Sequence, residues 1–442
     1  MFSVLSTISL AIPFIGVLLS IALFPLFASS FWHRFEKLVL LFWGAAGLIV
    51  MWNLFPMPVL IHSLTHTMWS EYIPFIAVLF ALFTIAGGIH LDLSIKNTSL
   101  NNVFFLIVAS FFASFIGTTG ASILFIRPLL RINENRLYKT HTVIFFIFMV
   151  SNAAGCLTPL GDPPLFMGYL LGVPFLWPLQ NLWKPFLGVF SMLLFIYWII
   201  DCYFMKKELS SSVIDINASL CSSVRIDGKR NMILLLVLIV TLLITPFLPI
   251  AEITAFGGVS ITVADCLRLG VMVFLGWLSY VITPSGIHRK QHFNFTPVYE
   301  VARIFLCIFI TLIPLNHVLS GDKNVFASLL TMNMGVSPQC LYFWLSGIFS
   351  GFLDNTPTYL VFFKLAGGNI AELTTVQKPI LIAISLGSVL MGALTYIGNA
   401  PNFMVLSIAN QHKIKMPSFL GYMVWSFIIL IPIFLVMSYL WL

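Results

Sequence analysis

The stretch SNAAGCLTPLGDPPLF, residues 151–166, interrupts an apolar segment of about residues 143–177 that is long enough to cross a bilayer. Proline removes a backbone donor and clashes with the preceding turn, so a regular helix cannot continue from Pro159 through Pro164. Freed backbone groups are tolerated at membrane depth only where they line a cavity or are buried in protein. Asp162 is costly in lipid, and such acids usually mark an ion or substrate pathway. We predict a broken membrane helix carrying a functional site; the alternative is a proline kink with a solvated aspartate.

The composition around this stretch is that of a membrane protein. The chain has 442 residues, of which 60% are hydrophobic and 8% charged, and its mean hydropathy is +1.02. Soluble domains carry about 25% charged residues. The net charge of +7 is explained by loop lysines and arginines that set topology, so we predict lipid rather than nucleic acid as the partner. The six cysteines have no metal-ligand or disulfide spacing, and no cofactor is predicted.

We predict an all-α polytopic protein with about ten membrane-spanning helices, two of them broken, and two re-entrant hairpins. The predicted hairpins cover about 102–130 and 341–366, with polar centres GTTGAS and LDNTPTY. Each arm has only about 12–15 apolar residues, too few for a full crossing. The predicted spans are 4–28, 38–60, 72–91, 143–177 (broken), 184–205, 232–250, 265–283, 299–319, 378–409 (broken) and 418–441.

Basic residues support one orientation of these spans. With the loop 29–37 in the cytoplasm, 16 of the 22 lysines and arginines fall in cytoplasmic segments and four outside, as the positive-inside rule requires. The cytoplasmic cluster Arg127, Arg131, Arg136 and Lys139 is interpreted as a topology anchor. The Ser-rich segment 206–231 is interpreted as a cytoplasmic linker between two halves, 1–205 and 232–442. Each half has five spans and one hairpin, an odd number of spans, so the halves form an inverted repeat, as in many secondary transporters.

The halves also match in the order and spacing of their motifs. Glu71 is predicted to open the third span of the first half, and Glu300 the third span of the second. A polar hairpin tip and a broken span follow in each half. Thr118 and Gly161 are 43 residues apart, and so are Asn355 and Gly398. Random apolar sequence would rarely repeat both order and spacing, so we expect the tips and breaks to meet near the membrane midplane.

The predicted site is rich in oxygen ligands of the kind that small hard cations prefer. It has two acids, Asp162 and Asp354, and no Lys or Arg in its four motifs. Two neighbouring acids can share one proton, so competition between Na⁺ and H⁺ for this pair predicts cation/proton antiport. The candidate binding residues are Thr118, Thr119, Ser122, Ser151, Asn152, Thr158, Gly161, Asp162, Asp354, Asn355, Thr356, Thr358, Thr395, Gly398, Asn399 and Asn402.

Several of these residues have simpler interpretations. Asp354 and Asp162 could each cap a following helix, which is compatible with ion binding. Glu71 and Glu300 are either a proton relay or solvated helix starts favoured by the helix dipole. Arg303 lies one helical turn from Glu300 and is predicted to pair with it.

The motifs SNAAGCLTPLGDPP, LDNTPTY and TYIGNAPNFM resemble those of the ion-transporter superfamily, which includes sodium/proton antiporters, citrate and dicarboxylate transporters and arsenite permeases. The resemblance runs from about Glu71 to the end of the chain. It implies a scaffold domain, a mobile transport domain, elevator-type alternating access, a homodimer and a bacterial inner membrane. Its motifs do not specify the cargo. The hairpin tips depart from the Ser-Asn-Thr of the dicarboxylate branch, so Na⁺/H⁺ antiport is the first hypothesis and citrate or dicarboxylate transport the alternative.

An enzyme is a remote alternative. LGD at 160–162 is similar to the Gly-Asp motif of intramembrane aspartyl proteases, which need a second aspartate facing the first. Asp201 and Asp354 are the available partners. Pro159 departs from that motif, and proteases do not require a repeated hairpin and break. We therefore predict that the protein is not an enzyme.

Overall fold

The computed structural model describes residues 4–210, 223–248, 251–254, 258–291, 293–321 and 337–442, and these residues are mostly helical. In the first half the helices are α1 Val4–Phe27, α2 Ser29–Leu54, α3 Met57–His66, α4 Ile73–Gly87, α5 Ser99–Ile116, α6 Thr118–Ile132, α7 Thr140–Met149, α8 Pro163–Leu170 and α9 Trp177–Ser210. In the second half they are α10 Lys229–Ile244, α11 Val263–Ile282, α12 Ser285–Lys290, α13 Thr296–Gly321, α14 Pro338–Leu353, α15 Asn355–Leu365, α16 Ile370–Thr374, α17 Lys378–Leu390, α18 Ala400–Gln411 and α19 Phe419–Trp441.

The protein is an all-α polytopic membrane protein, as predicted. Within the described residues, eight helices are long and apolar enough to cross a membrane. Shorter apolar helices lie at 10–25, 140–156 and 378–394, and the last two are the amino-terminal halves of the predicted broken spans. The predicted span 143–177 ends earlier than expected, because α8 stops at Leu170 and α9 already begins at Trp177.

The second and third predicted spans are wrong in their boundaries. The α2 helix ends at Leu54, and the next helix begins at Met57 and continues to Gly87 through a π-helical turn at Thr67–Tyr72. Prolines at 56 and 58 mark its start. Glu71 therefore does not open a span at the membrane interface but lies inside a long helix, with 7% of its surface exposed. The helix therefore continues through this buried acid.

The first hairpin is longer than predicted. Its arms α5 and α6 have 18 and 15 residues, and the first arm alone is long enough to cross a bilayer. The Thr98 side chain caps α5 by accepting a hydrogen bond from the Asn101 amide, at 3.2 Å, so the helix includes polar residues that we had placed outside it. The second hairpin has arms of 16 and 11 residues, α14 and α15.

In the described part of the chain, two short antiparallel strand pairs lie outside the helices. Strand β1, His90–Ser94, pairs with β2, Ser223–Asp227, and β3, Glu252–Thr254, pairs with β4, Ser260–Thr262. The described parts of the predicted linker 206–231 contain secondary structure: its start extends α9 to Ser210, β2 follows at Ser223–Asp227, and α10 begins at Lys229. Residues 211–222 of that linker lie outside the described part of the chain. The β1–β2 pair joins the segment after α4 to the start of the second half.

A buried ionic cluster connects α7 and α9 with the loop after α6. Arg136 binds Asp201 through Nη1 at 2.6 Å and Glu208 through Nε at 2.9 Å, with all three side chains fully buried. The Nε2 atom of His141 contacts the same Asp201 oxygen at 2.8 Å. Arg136 was predicted as part of a basic cluster that anchors the topology. Instead it neutralises two carboxylates inside the protein, since a buried charge without a partner would be very unfavourable.

Candidate functional site

Each hairpin turns on one residue. Gly117 connects α5 to α6 with φ 81° and ψ 148°, and Asp354 connects α14 to α15 with φ 87° and ψ 143°. This conformation is natural for glycine and unfavourable for other residues. The two positions differ by 237 in number, which is also the difference between Thr118 and Asn355 and between Gly161 and Gly398. The two tips therefore have the same backbone geometry at equivalent places in the repeat.

The same contacts attach each hairpin to its broken helix. The Thr158 hydroxyl donates a short hydrogen bond to the Ser114 carbonyl oxygen. The Thr395 hydroxyl donates to the Gly351 carbonyl oxygen at 2.5 Å, again 237 residues further along. Thr158 and Thr395, which were predicted as ion ligands, thus connect each break to the hairpin arm before it. The recurrence of this bond supports the predicted internal repeat.

Close packing at both breaks requires glycine. A Cβ atom on Gly161 would lie 2.6 Å from the Gly155 carbonyl oxygen, and one on Gly398 would lie 2.6 Å from the Gly392 carbonyl oxygen. Real Cβ atoms do not approach that closely, so the backbone folds back on itself only because these residues lack side chains. The two predicted site glycines therefore shape the breaks.

Asp162 is the centre where the two halves meet. Its side chain is 1% exposed. One carboxylate oxygen accepts hydrogen bonds from the Thr118 hydroxyl at 2.8 Å and the Asn399 amide at 3.3 Å. The other accepts a short hydrogen bond from the Asn355 amide. Both hairpin tips and the second break thus contact one carboxylate, and within the described residues no Lys or Arg forms an ion pair with it.

A second layer of polar contacts joins the two breaks. The Asn152 amide donates to Asn402 Oδ1 at 2.7 Å, and the Asn399 amide donates to Asn152 Oδ1 at 3.2 Å and to the Ser151 carbonyl oxygen at 3.1 Å. The hydroxyls of Ser122 and Ser151 are 2.8 Å apart. The asparagines of the two breaks, about 250 positions apart in the sequence, are thus hydrogen-bonded to each other near Asp162. Each of these side chains has an oxygen atom that could bind a cation.

The remaining predicted ligands lie at the edge of this centre. Thr119 lines an adjoining cavity. The Thr358 hydroxyl donates to the Asp354 carbonyl oxygen at 2.8 Å, and Thr356 Oγ1 lies 3.4 Å from Asn355 Oδ1. The Asp354 carboxylate accepts a hydrogen bond from the Thr356 amide at 3.1 Å and so caps α15. No hydrogen bond in the described region links Asp354 to Asp162.

The unfavourable backbone at Asp354 leads to a prediction for Asp354→Gly. Glycine relieves a conformation that costs about 1–3 kcal/mol and loses only a few tenths of a kcal/mol of capping. We expect the purified protein to unfold at a higher temperature than wild type. Asp354→Asn keeps the strain and the cap and serves as the control, with an unfolding temperature equal to that of wild type. Equal melting temperatures for wild type and Asp354→Gly would contradict the strain argument.

A cavity of about 340 Å³ adjoins Asp162. Its walls come from α4 and α13 on one side, and from the first hairpin tip, the first break and α18 on the other. Glu300 lines it, but Glu71 does not.

Arg303 does not pair with Glu300 as predicted; its Nη2 atom lies 3.4 Å from Glu36 Oε1 on α2. Sequence reasoning missed the apolar wall residues of α4, because a lining Phe or Leu in an apolar helix has no distinguishing sequence pattern.

Helix ends add their own electrostatics to this centre. The amino-terminal ends of α6, α8, α15 and α18 lie beside the tips and breaks that surround Asp162. Helix amino ends carry partial positive charge from unpaired amides. Such ends favour negative charge at Asp162.

The protease hypothesis does not fit these contacts. Asp201 is buried against Arg136 and His141, and the Asp354 carboxylate caps α15. Neither nominated aspartate forms a hydrogen bond with Asp162 among the described residues. The contacts therefore do not support a pair of aspartates that share a catalytic proton.

Comparison with known families agrees with a transporter. Residues 4–442 match the model of the family described as "Putative citrate transport". The chain belongs to this family. No curated protein matches it. Membership of this family indicates a secondary transporter, and the long apolar helices make it a multi-pass integral membrane protein.

Proposed function

We propose that this protein exchanges Na⁺ for H⁺, with both ions binding at Asp162. The observation that carries the proposal is a buried carboxylate without a cationic partner, surrounded by Thr118, Asn355 and Asn399. Burial makes an unneutralised charge costly, so such a carboxylate favours a proton or a metal cation. Rotation of the two amide groups turns their oxygens toward Asp162, and a hard cation then has oxygen ligands from both halves. We propose that Asp354, at the start of α15, is a second acid that interacts with this cation.

An elevator-type movement fits the arrangement of the site. The hairpins and breaks are joined to one another by hydrogen bonds, while α4 and α13 contribute residues to the walls of the cavity. We propose that hairpins and broken helices move together as a transport domain against a scaffold that includes α4 and α13. Glu300 at the cavity and the buried Glu71 remain candidates for proton relay. A homodimer in a bacterial inner membrane is the proposed setting.

Citrate or dicarboxylate transport is the second candidate. The family description and the four helix amino ends around the site favour an anion. Against it, the residues of the described chain that line the cavity include no Lys, Arg or His. In this alternative, Asp162 holds a coupling cation that offsets its charge.

Transport in proteoliposomes separates the two candidates. Purified protein is reconstituted with a trapped pH dye and an imposed pH gradient, and Na⁺, Li⁺, K⁺, citrate or succinate is then added. We expect Na⁺ or Li⁺ to dissipate the gradient without any carboxylate. Uptake of labelled citrate, with no response to sodium alone, would overturn the antiport proposal. Protein-free liposomes give the leak rate.

A further inference from the structure

The cavity beside Asp162 has a buried floor and an exposed mouth. Phe75, Phe166 and Asp162 at the floor are between 1% and 2% exposed, whereas Phe403 at the mouth is 59% exposed. Glu300, also exposed, lies at the mouth on α13. The cavity thus offers an apolar chamber between one buried and one exposed acid.

The charges of the cavity favour a cation. Glu300 has no ion-pair partner in the part of the chain that the structure describes, since Arg303 contacts Glu36 instead. No lining residue within the described ranges is basic. The partial positive charge of the helix amino ends at the floor is already balanced by the Asp162 carboxylate. The unpaired negative charge is therefore that of Glu300.

The apolar walls distinguish the expected ligand from an inorganic ion. Phe75, Phe83, Phe166 and Phe403 contribute rings, and Leu79 and Leu82 add aliphatic surface. A sodium ion or a citrate has no apolar surface with which to cover them, whereas an organic cation gains by burying its apolar body. Aromatic faces also attract ammonium groups. The volume of the cavity, the charge of Glu300 and the apolar walls thus favour the same class of ligand, an organic cation.

We propose that this cavity binds monovalent organic cations with an apolar body, the charged head near Glu300 and the body among the phenylalanines. This ligand class goes beyond the exchange of inorganic ions proposed above. Binding does not require the Asp162 carboxylate to release its hydrogen-bond donors. The organic cation and the inorganic ion therefore have separate anchoring groups, Glu300 and Asp162.

Binding of radiolabelled benzyltrimethylammonium to the purified full-length protein tests the proposal. The assay uses scintillation proximity in sodium-free potassium buffer, with excess unlabelled ligand to define non-specific binding. We expect saturable binding. Tetramethylammonium has the charge without the apolar body, and 3-phenylpropionate has an apolar body with the opposite charge. Each should compete at least about tenfold more weakly, since each lacks one of the two interactions.

Two variants locate the ligand. Glu300→Gln should weaken binding about fivefold, as expected for an ion pair open to solvent, and Phe403→Ala should weaken it about threefold. Their matched controls are Glu372→Gln and Phe111→Ala, which change exposed residues away from the cavity and should bind as wild type does. Absence of saturable binding, wild-type affinity in both cavity variants, or equal competition by 3-phenylpropionate would overturn the proposal. Because the assay measures binding without sodium, its failure would leave Na⁺/H⁺ exchange untouched.

Discussion

Asp162→Asn is expected to reduce sodium-driven proton flux to the level of protein-free liposomes. The substitution keeps the shape of the side chain and removes the one buried charge at which both hairpin tips and the second break converge. Rotated amides of Asn355 and Asn399 can still pair with the new amide, so we expect the protein to fold. The measurement is the trapped-dye assay at several sodium concentrations, together with the elution volume of the purified variant.

The matched control for this experiment is Asp92→Asn. Asp92 is an exposed acid that pairs with Arg131 at 2.6 Å, far from the breaks in the sequence, and its loss should leave exchange unchanged. Wild-type flux in Asp162→Asn would exclude Asp162 as the exchange site. Citrate uptake that persists in this variant would instead support anion binding by the helix ends without a coupling cation at Asp162.

Arg136→Gln is expected to have the largest effect on stability. Arg136 is fully buried and contacts both Asp201 and Glu208. Removing one partner of a buried ion pair costs about 3–5 kcal/mol, because the other charge stays buried without compensation. Here two carboxylates lose the guanidinium, which leaves Asp201 with His141 and Glu208 with the Tyr138 amide. We expect a large fall in the temperature at which the detergent-solubilised protein unfolds, followed by intrinsic fluorescence and by loss of the main chromatographic peak.

Arg131→Gln provides an internal comparison. Its pair with Asp92 has the same 2.6 Å separation as the Arg136–Asp201 pair, but its side chains are 51% and 52% exposed. Exposed pairs contribute about 0–1 kcal/mol, so this variant should unfold near the wild-type temperature. Equal losses of stability in the two arginine variants would contradict the assignment of the large effect to burial.

The candidate site could be located from the sequence but not assembled from it. The prolines at 159–164 and the repeated spacing of 43 residues are local signals, and they place hairpin tips and breaks correctly along the chain. They do not show that Asn355 and Asn399 both bind Asp162, or that Thr158 and Thr395 turn to backbone carbonyls. Those choices depend on side chains that are about 40 to 240 positions apart.

The wrong predictions for Glu71 and Arg136 have a common cause. Glu71 was placed at an interface because polar residues commonly end apolar runs, yet the helix continues through it. Arg136 was grouped with Arg131 because both lie in one basic segment, yet one is buried and the other exposed. A residue type shows that a charge exists, and only its surroundings show whether the charge is solvated.

Composition, apolar length and proline position determined by themselves that this is a polytopic helical membrane protein with two interrupted helices. These properties depend on transfer into lipid and on local backbone geometry, which each segment carries in its own residues. Only the tertiary structure decided that Asp162 is the shared centre and that Arg136 is a buried counter-ion. It also placed Glu300 at a phenylalanine-lined cavity, without an ion-pair partner among the described residues. Those properties depend on the distance between segments remote in sequence, and therefore on packing.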